Sequence, residues 1–295
     1  MKYVVTGSLG HISKPLAVQL VNAGHDVTVV SSNPAKGSEI ESLGAKAAIG
    51  SVEDIAFLTN TFKGADAIYT MVPPNFGAGD WIGYIRSIGN NYADAIKASG
   101  VKKVVNLSSI GAHIPEGCGP VSGIHFVELA LNKLDGVDVK HLRPGFFFTN
   151  LYANIGMIQH LGIIGANYGD NTKMVMAHPN DIALVAAEEL LTPSFTGKTI
   201  RYIASDEPTT NEIAKAIGAA IGKPELPWVN FKNEDALNGM MGAGLSAEIA
   251  GKYVEMGAAM ASGAMTAEYA NHKPELSPTK LADFAREFAA VYAQS

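Results

Sequence analysis

A glycine-containing turn follows the first apolar run of the chain directly. Residues 2–6 read as a β-strand, and the residues that follow are Gly7-Ser8-Leu9-Gly10-His11-Ile12-Ser13, where a helical pattern begins. In a turn of this kind Gly7 permits the tight bend, Gly10 lets backbone N–H groups approach a pyrophosphate, and a small Ser13 allows close packing of helix against strand. Strand, spacing and helix together predict a dinucleotide-binding turn rather than a plain connection.

The end of the second predicted strand indicates which dinucleotide binds. NAD-preferring sites normally place Asp or Glu there to accept hydrogen bonds from the ribose 2′-hydroxyl. Here the chain reads Ser31-Ser32-Asn33-Pro34-Ala35-Lys36, so hydroxyls, an amide and a cation stand where the acid would be. These groups suit a 2′-phosphate and predict NADP(H), with a solvated loop lysine as the alternative for Lys36. The cofactor contacts predicted from the two turns are Gly7, Leu9, Gly10, His11, Ile12, Ser31, Ser32, Asn33 and Lys36.

Short β-rich runs alternate with longer helical patterns along the first two thirds of the chain. The predicted strands span residues 2–6, 26–31, 45–49, 65–71, 103–107, 138–143 and 198–204. The predicted helices span residues 12–23, 52–62, 79–98, 124–133, 180–191, 210–221 and 279–292. This alternation is typical of βαβ units, so we expect an α/β fold: a Rossmann-type doubly wound parallel sheet.

The alternation stops after Arg143, where Pro144-Gly145 precedes three consecutive phenylalanines. We therefore expect an NADP(H)-binding domain over residues 1–150, completed by about 178–205. Residues 151–177 and 206–295 are expected to form a smaller, α-rich C-terminal cap that binds substrate. Within the cap, residues 237–265 read as a methionine-rich helix. Its three charged residues, Glu248, Lys252 and Glu255, argue against a membrane span.

Charge and composition limit the partners of this chain. It has 22 Lys and Arg against 28 Asp and Glu, for a net charge of −6, so no basic excess is available to neutralise nucleic-acid phosphates. With 47% apolar and only 17% charged residues, much of the chain is expected to be core, and a small organic molecule is the expected partner. The three phenylalanines at 146–148 would suit a hydrophobic or aromatic one, with core packing as the alternative for them. Residues 1–6 already read as a strand and resemble no signal sequence, so we expect a cytoplasmic protein. We also expect a monomer or homodimer.

Cysteine and histidine patterns favour no metal site. Cys118 is the only cysteine, so multi-cysteine sites and disulfides within the chain are excluded, and we interpret Cys118 as a non-reactive loop thiol. The histidines His11, His113, His178 and His272 show none of the spacings that bind metals.

Six segments resemble the NmrA-like family of atypical short-chain dehydrogenases/reductases, which includes NADPH-dependent quinone oxidoreductases, triphenylmethane reductases and redox-sensing regulators. They are TGSLGHIS (residues 6–13), GSVED (50–54), YTMVPP (69–74), NLSSIG (106–111), LRPGFFFTNL (142–151) and AHPNDIALVAAEEL (177–190). The resemblance implies that residues after the fourth strand lie along the cofactor, namely Met71, Val72 and Pro73. It also implies that the segment after the sixth strand passes close to the nicotinamide, through Pro144, Gly145, Phe146 and Phe147.

The Tyr-x-x-x-Lys pair of typical superfamily members is missing from its expected helix, which reads Ser122-Gly123-Ile124-His125-Phe126-Val127-Glu128. A literal match at residues 269–273 lies beyond the last predicted sheet strand, and we interpret it as coincidence. His125 and Ser109 are the catalytic candidates: His125 to supply a proton or hold the ribose, and Ser109 as a second polar group. Glu128 is a candidate to orient His125, or else a surface carboxylate. The alternative for His125 is a structural histidine.

The missing pair favours direct hydride transfer, which needs positioning more than an activated tyrosine. The leading hypothesis is therefore an NADPH-dependent reductase of a quinone-like or other conjugated small molecule. The alternative is a non-catalytic NADP(H)-binding redox sensor that acts through a protein partner. A sugar epimerase is disfavoured because its chemistry generally relies on the missing tyrosine and lysine.

Overall fold

A seven-stranded parallel sheet forms the centre of the computed structural model, which describes residues 1–295. The chain has eleven strands, seven of which form this sheet. In chain order the eleven are β1 (Lys2–Val5), β2 (Asp26–Ser31), β3 (Lys46–Ile49), β4 (Ala67–Thr70), β5 (Lys103–Leu107), β6 (Asp138–Pro144), β7 (Phe146–Phe147), β8 (Ile164–Ala166), β9 (Met176–Ala177), β10 (Lys198–Ile203) and β11 (Trp228–Asn230). The main sheet has the order β10-β6-β5-β4-β1-β2-β3, and all its neighbouring strands are parallel. This confirms the predicted doubly wound α/β fold, in which the order of strand addition reverses between β1 and β4.

Eleven α-helices connect or flank the strands. They are α1 (Ser13–Asn22), α2 (Gly37–Ser42), α3 (Ile55–Phe62), α4 (Trp81–Ser99), α5 (Pro120–Asn132), α6 (Ile155–Leu161), α7 (Pro179–Leu191), α8 (Thr210–Ala220), α9 (Asn233–Gly242), α10 (Ala247–Ala261) and α11 (Leu281–Tyr292). Short 3-10 segments cover Pro34–Lys36, Phe148–Asn154, Ala264–Thr266 and Tyr269–Asn271. None of these helices combines the length and the apolar composition that a membrane span requires.

Most predicted helix boundaries shift by a few residues in the structure; α5, for example, begins at Pro120 rather than at residue 124. Two of the differences have a clear local cause. The helix expected from residue 52 begins at Ile55, because Asp54 rather than Ser51 caps it by accepting a hydrogen bond from the Phe57 amide at 3.0 Å. The single helix expected over residues 237–265 is divided into α9 and α10. Gly244 has a φ of +97° between them, a conformation that ends a helix.

The sheet has a hydrophobic core on each face. Successive β1 residues alternate sides, so that Tyr3 and Val5 belong to the core with α1 and α7, while Val4 belongs to the core with α4 and α5. Each of these three side chains is at most 3% exposed. Burial on both faces explains why the strands read as continuous apolar runs in the sequence.

A third core cluster lies mainly in the C-terminal part of the chain. It includes Phe148, Ile158, Ile213, Phe284 and Phe288, all with no measurable exposure. Two small parallel pairs, β7 with β9 and β8 with β11, accompany it. The division into a cofactor domain and a substrate cap stays a prediction, but this cluster shows that residues outside the main sheet bury apolar surface of their own.

Candidate active site

The turn between β1 and α1 offers several unpaired backbone donors. The amides of Leu9, His11 and Ile12 donate no hydrogen bond within the protein. These groups stand at the positive end of the α1 dipole, where an anion is favoured. The turn therefore has the donors that a pyrophosphate requires, as the sequence predicts.

Gly7 shapes this turn. Its φ is +96°, and a Cβ there would overlap Ser13 Oγ and come within 2.8 Å of Met71 Cγ. Ser13 Oγ donates to the Thr6 carbonyl oxygen at 2.8 Å, which ties the start of α1 to the end of β1. A cradle that even a methyl group would fill, beside free N–H donors, fits a closely approaching dinucleotide.

Met71 lies against the same turn. Its amide donates to Thr6 Oγ1 at 2.9 Å, and its carbonyl oxygen accepts from the Tyr92 hydroxyl at 2.7 Å. Val72 and Pro73, which follow it, are half-buried. The structure thus brings the predicted Met71 segment to the glycine turn, at the carboxyl edge of the sheet.

The end of β2 adds polar groups and an ion cluster that the sequence prediction missed. Ser8 Oγ donates to Ser31 Oγ at 2.8 Å, while Ser32 and Asn33 are exposed just beyond. Lys36 Nζ lies 2.8 Å from Glu39 Oε2, and Lys14 Nζ lies 2.9 Å from Glu39 Oε1.

Glu39 therefore holds two cations, so Lys36 is not simply a solvated loop lysine. Hydrogen bonds from Lys36, and then from Lys14, lower the pKa of the exposed Glu39 carboxyl. The three groups together carry one net positive charge near the predicted 2′-phosphate position. The spacing of Lys36 and Glu39 could have indicated their pair, whereas nothing in the sequence indicates that Lys14 joins it.

A cavity of ≈ 170 Å³ opens at the carboxyl ends of β5 and β6. Ten of its fifteen lining residues are hydrophobic, among them four methionines: Met174, Met256, Met260 and Met265. The polar lining groups include Ser109, Asn150, Lys173 and Thr266. A largely apolar cleft with few polar groups is typical of a small-molecule site, and methionine adapts to ligands of varied shape.

The Phe-rich segment forms part of the cavity wall. The Phe146 amide donates to the Val175 carbonyl oxygen at 2.8 Å, and a Cβ at Gly145 would overlap that carbonyl, so the two segments approach closely. Gly145, Phe146 and Phe147 all line the cavity. Pro144 ends β6, and its carbonyl oxygen accepts from the Ile110 amide at 2.9 Å. In contrast, Phe148 is fully buried and stacks on Phe284 at 5.1 Å between ring centroids.

The two catalytic candidates occupy different places. Ser109 is half-buried and lines the cavity. His125 lies on α5 outside the cavity lining, and its Nδ1 donates to the Ala112 carbonyl oxygen at 2.8 Å. The structure therefore places Ser109 at the site and ties His125 to a neighbouring loop.

Glu128 neither orients His125 nor lies at the surface, contrary to both interpretations offered from the sequence; it is buried. It accepts hydrogen bonds from Arg143 Nε at 2.9 Å and from Arg143 Nη2 at 2.7 Å, and it also binds the Ser108 hydroxyl. Arg143 further contacts Tyr202 and Glu268 through Nη1. Burial lowers the pKa of Arg143, but its bonds to Glu128 outweigh that effect and the net change is an increase. This network was missed, although Glu128 was named from the sequence and the arginine of the LRPG segment is visible in the chain.

Tyr269 and Lys273, which match the dyad spacing by letters alone, share a structural partner instead. The Tyr269 hydroxyl donates to Glu207 Oε1 at 2.6 Å, and Lys273 Nζ lies 3.1 Å from Glu207 Oε2. Neither residue lines the cavity. Cys118 is buried, and burial raises the pKa of its thiol to about 12, so it stays protonated at neutral pH.

Comparison with known proteins identifies the first part of the chain. Residues 7–133 match a family described as NAD(P)H-binding. This segment is an NAD(P)H-binding domain. The predicted cofactor class is thereby confirmed, and the match contains the glycine turn, the β2 end and the Met71 segment described above.

Three relatives extend the comparison to most of the chain. It is 25% identical over 249 residues to NAD(P)H azoreductase from Xenophilus azovorans, covering 84% of this chain and 83% of that one. It superposes on the NADPH complex of an NADPH-dependent quinone oxidoreductase from Escherichia coli with a TM-score of 0.79, at 19% identity and 99% coverage of both chains.

The NADP(H) complex of triphenylmethane reductase from Citrobacter sp. gives a TM-score of 0.78 at 20% identity, covering 98% of this chain and 100% of that one. The predicted resemblance is therefore confirmed: the fold is shared with quinone oxidoreductase and triphenylmethane reductase over nearly the whole chain.

Proposed function

We propose that this protein is an NADPH-dependent reductase that transfers hydride to a quinone-like or other conjugated small molecule. One observation carries the proposal: an apolar, aromatic-walled cavity opens at the same carboxyl edge of the sheet as the dinucleotide turn. Ligands of doubly wound sheets bind at this edge. The similarity to an azoreductase, and the fold shared with a quinone reductase and a dye reductase, support this reaction class.

The residues of the turn would hold the cofactor. The free amides of Leu9, His11 and Ile12 would bind the pyrophosphate, and Lys36 with Lys14 would favour the 2′-phosphate and hence NADPH over NADH. When bound, the reduced nicotinamide supplies the hydride. The chain itself needs to supply no metal or covalent nucleophile for that chemistry.

The cavity residues would position the acceptor. Phe146 and Phe147 present aromatic surface to a flat ring and exclude water, which favours a near-attack arrangement. Burial raises the pKa of the Tyr253 hydroxyl, so this lining group stays protonated and available to donate a hydrogen bond to a developing oxyanion. Ser109 adds a second hydroxyl, and His125 would act only through the loop that it binds.

Oxidation of NADPH, with NADH in parallel, across quinones, azo dyes, triphenylmethane dyes and enones tests the proposal. We expect turnover that favours NADPH and disappears in Gly10→Val, whose side chain would crowd the Gly7 carbonyl oxygen. The His125→Ala variant should retain most of the activity. Tight NADPH binding without oxidation by any of these acceptors would overturn the proposal and favour a redox sensor.

A further inference from the structure

Lys173 is the only charged residue among the fifteen that line the cavity. Its side chain is 60% exposed, so the ammonium stands at the solvent side of an otherwise apolar and hydroxyl-bearing wall. No carboxylate lines the cavity. Lys173 is therefore the only formal charge on the cavity wall, in a protein that carries −6 as a whole.

The backbone around Lys173 is fixed. Lys173 forms an antiparallel bridge with Thr209, and the amide of the next residue, Met174, donates to the Pro208 carbonyl oxygen at 2.7 Å. Met174 and Val175 continue along the same cavity wall. The ammonium thus extends from an ordered edge, and its flexible stem allows it to turn towards or away from the cavity.

In this structure Lys173 forms an ion pair with Glu207, whose carboxylate also accepts hydrogen bonds from two other residues. Its Nζ lies 2.6 Å from Glu207 Oε2, while Tyr269 and Lys273 also bind Glu207. Burial favours the neutral acid, but hydrogen bonds from Lys173, Tyr269 and Lys273 outweigh it and lower the pKa of Glu207 to about 2. Glu207 would keep Tyr269 and Lys273 if Lys173 turned to a ligand, so that movement leaves no carboxylate unpaired.

We propose that the cavity takes an aromatic acceptor bearing an acidic substituent, a carboxylate or sulfonate, and that Lys173 recognises this substituent. The aromatic and methionine side chains of the cavity wall contact the ring of the acceptor, and the Lys173 ammonium binds its anionic group at the solvent side of the cavity. The inference rests on the proposed reductase function and narrows its substrate class.

Equilibrium binding measurements distinguish recognition of the ligand's aromatic ring from recognition of its anionic substituent. Titration calorimetry of the full chain, with and without NADP⁺, would compare 2-naphthoate with its neutral analogue 2-naphthamide. We expect naphthoate to bind more tightly by about fivefold, the upper end of what a partly exposed ion pair contributes. Lys173→Gln should remove this preference without changing naphthamide binding, and Lys173→Arg should retain it.

Lys273→Gln is the matched control, because Lys273 binds the same Glu207 oxygen but does not line the cavity. It should keep the naphthoate preference. Equal binding of the two ligands by the wild type, failure of both to bind, or equal losses in Lys173→Gln and Lys273→Gln would each overturn the inference.

The binding result is independent of turnover. If no acceptor oxidises NADPH but Lys173-dependent naphthoate binding is observed, the reductase proposal fails and the anion site stands. If neutral quinones are reduced as well as their carboxylated derivatives in both wild type and Lys173→Gln, the anion site alone is refuted.

Discussion

Replacement of Glu128 by glutamine tests the buried ion pair beneath the site. The side chains of Glu128 and Arg143 are 6% and 5% exposed, and two hydrogen bonds of 2.9 and 2.7 Å join them. Glutamine preserves the size but not the charge, so the guanidinium would keep Glu268 as its only carboxylate. Breaking a buried pair from one side costs about 3–5 kcal/mol, and we expect about 3 kcal/mol because Glu268 remains.

Thermal unfolding followed by circular dichroism measures this loss. For a chain of this size we expect the melting temperature to fall by about 6 °C. Glu188→Gln is the control, because Glu188 forms an exposed pair with Arg201 and should cost less than about 0.5 kcal/mol. Glu128→Leu combined with Arg143→Met should recover most of the stability, since apolar residues of similar size replace a buried pair well.

A loss in Glu128→Gln no larger than that in Glu188→Gln would refute the reasoning, because it would mean that water or another group screens the guanidinium. If the double variant Glu128→Leu, Arg143→Met were less stable than Glu128→Gln, the reasoning would also fail. The Arg143 charge would then stabilise the fold by more than neutralising Glu128.

Three further predictions concern the turn, the cofactor preference and the response to acid. Gly7→Ala should weaken NADPH binding by at least about tenfold, because its methyl group would overlap Ser13 Oγ, and fluorescence titration measures this loss. Gly24→Ala is the control: Gly24 has a similar φ, but nothing lies within 4 Å of the added methyl group, so this variant should bind NADPH normally. Lys36→Gln should lower NADPH affinity by about tenfold with little effect on NADH, and equal losses for the two cofactors in the same titration would contradict the 2′-phosphate assignment.

The pKa of Glu207 is lowered to about 2, so its contribution to stability is present above its unfolded pKa near 4.5 and is lost as the pH falls through both values. Between pH 6 and pH 3 the wild type should therefore lose about 1–2 kcal/mol more than Glu207→Gln in urea unfolding, and parallel losses would count against this.

The main sheet was predictable because its strands are buried on both faces and read as short β-rich runs. The observed β2 and β5 have the predicted bounds. The four strands outside this sheet were missed, since each has only two or three residues and shows no alternation. The start of α3 was misplaced because Ser51 and Asp54 are both capable caps, and only the backbone shows that Ser51 instead accepts from the Glu53 amide before the helix begins.

The candidate site was predictable where its residues are close in sequence. The glycine turn and the Phe146 segment act through local backbone geometry, which motifs of a few residues encode. The partners in ion pairs could not be predicted in this way, because Glu128 and Arg143 are 15 residues apart and Arg143 and Glu268 are 125 apart. Lys173 and its position on the cavity wall likewise depend on how β10 and the following segment fold back, and no pattern in the chain indicates this.

The Arg143 network also limits how this protein can be recombined with its relatives. Arg143 lies near the carboxyl end of β6, whereas its partner Glu268 lies in the short segment that carries Met265 and Thr266 into the cavity wall. A chimera that exchanges residues 206–295 while keeping this sheet would separate the guanidinium from one of its two carboxylates. The transplanted segment must therefore have an acidic residue at the Glu268 position. The segment around Met265 and Glu268 and the β6 end with Arg143 are thus compatible only when they are exchanged together.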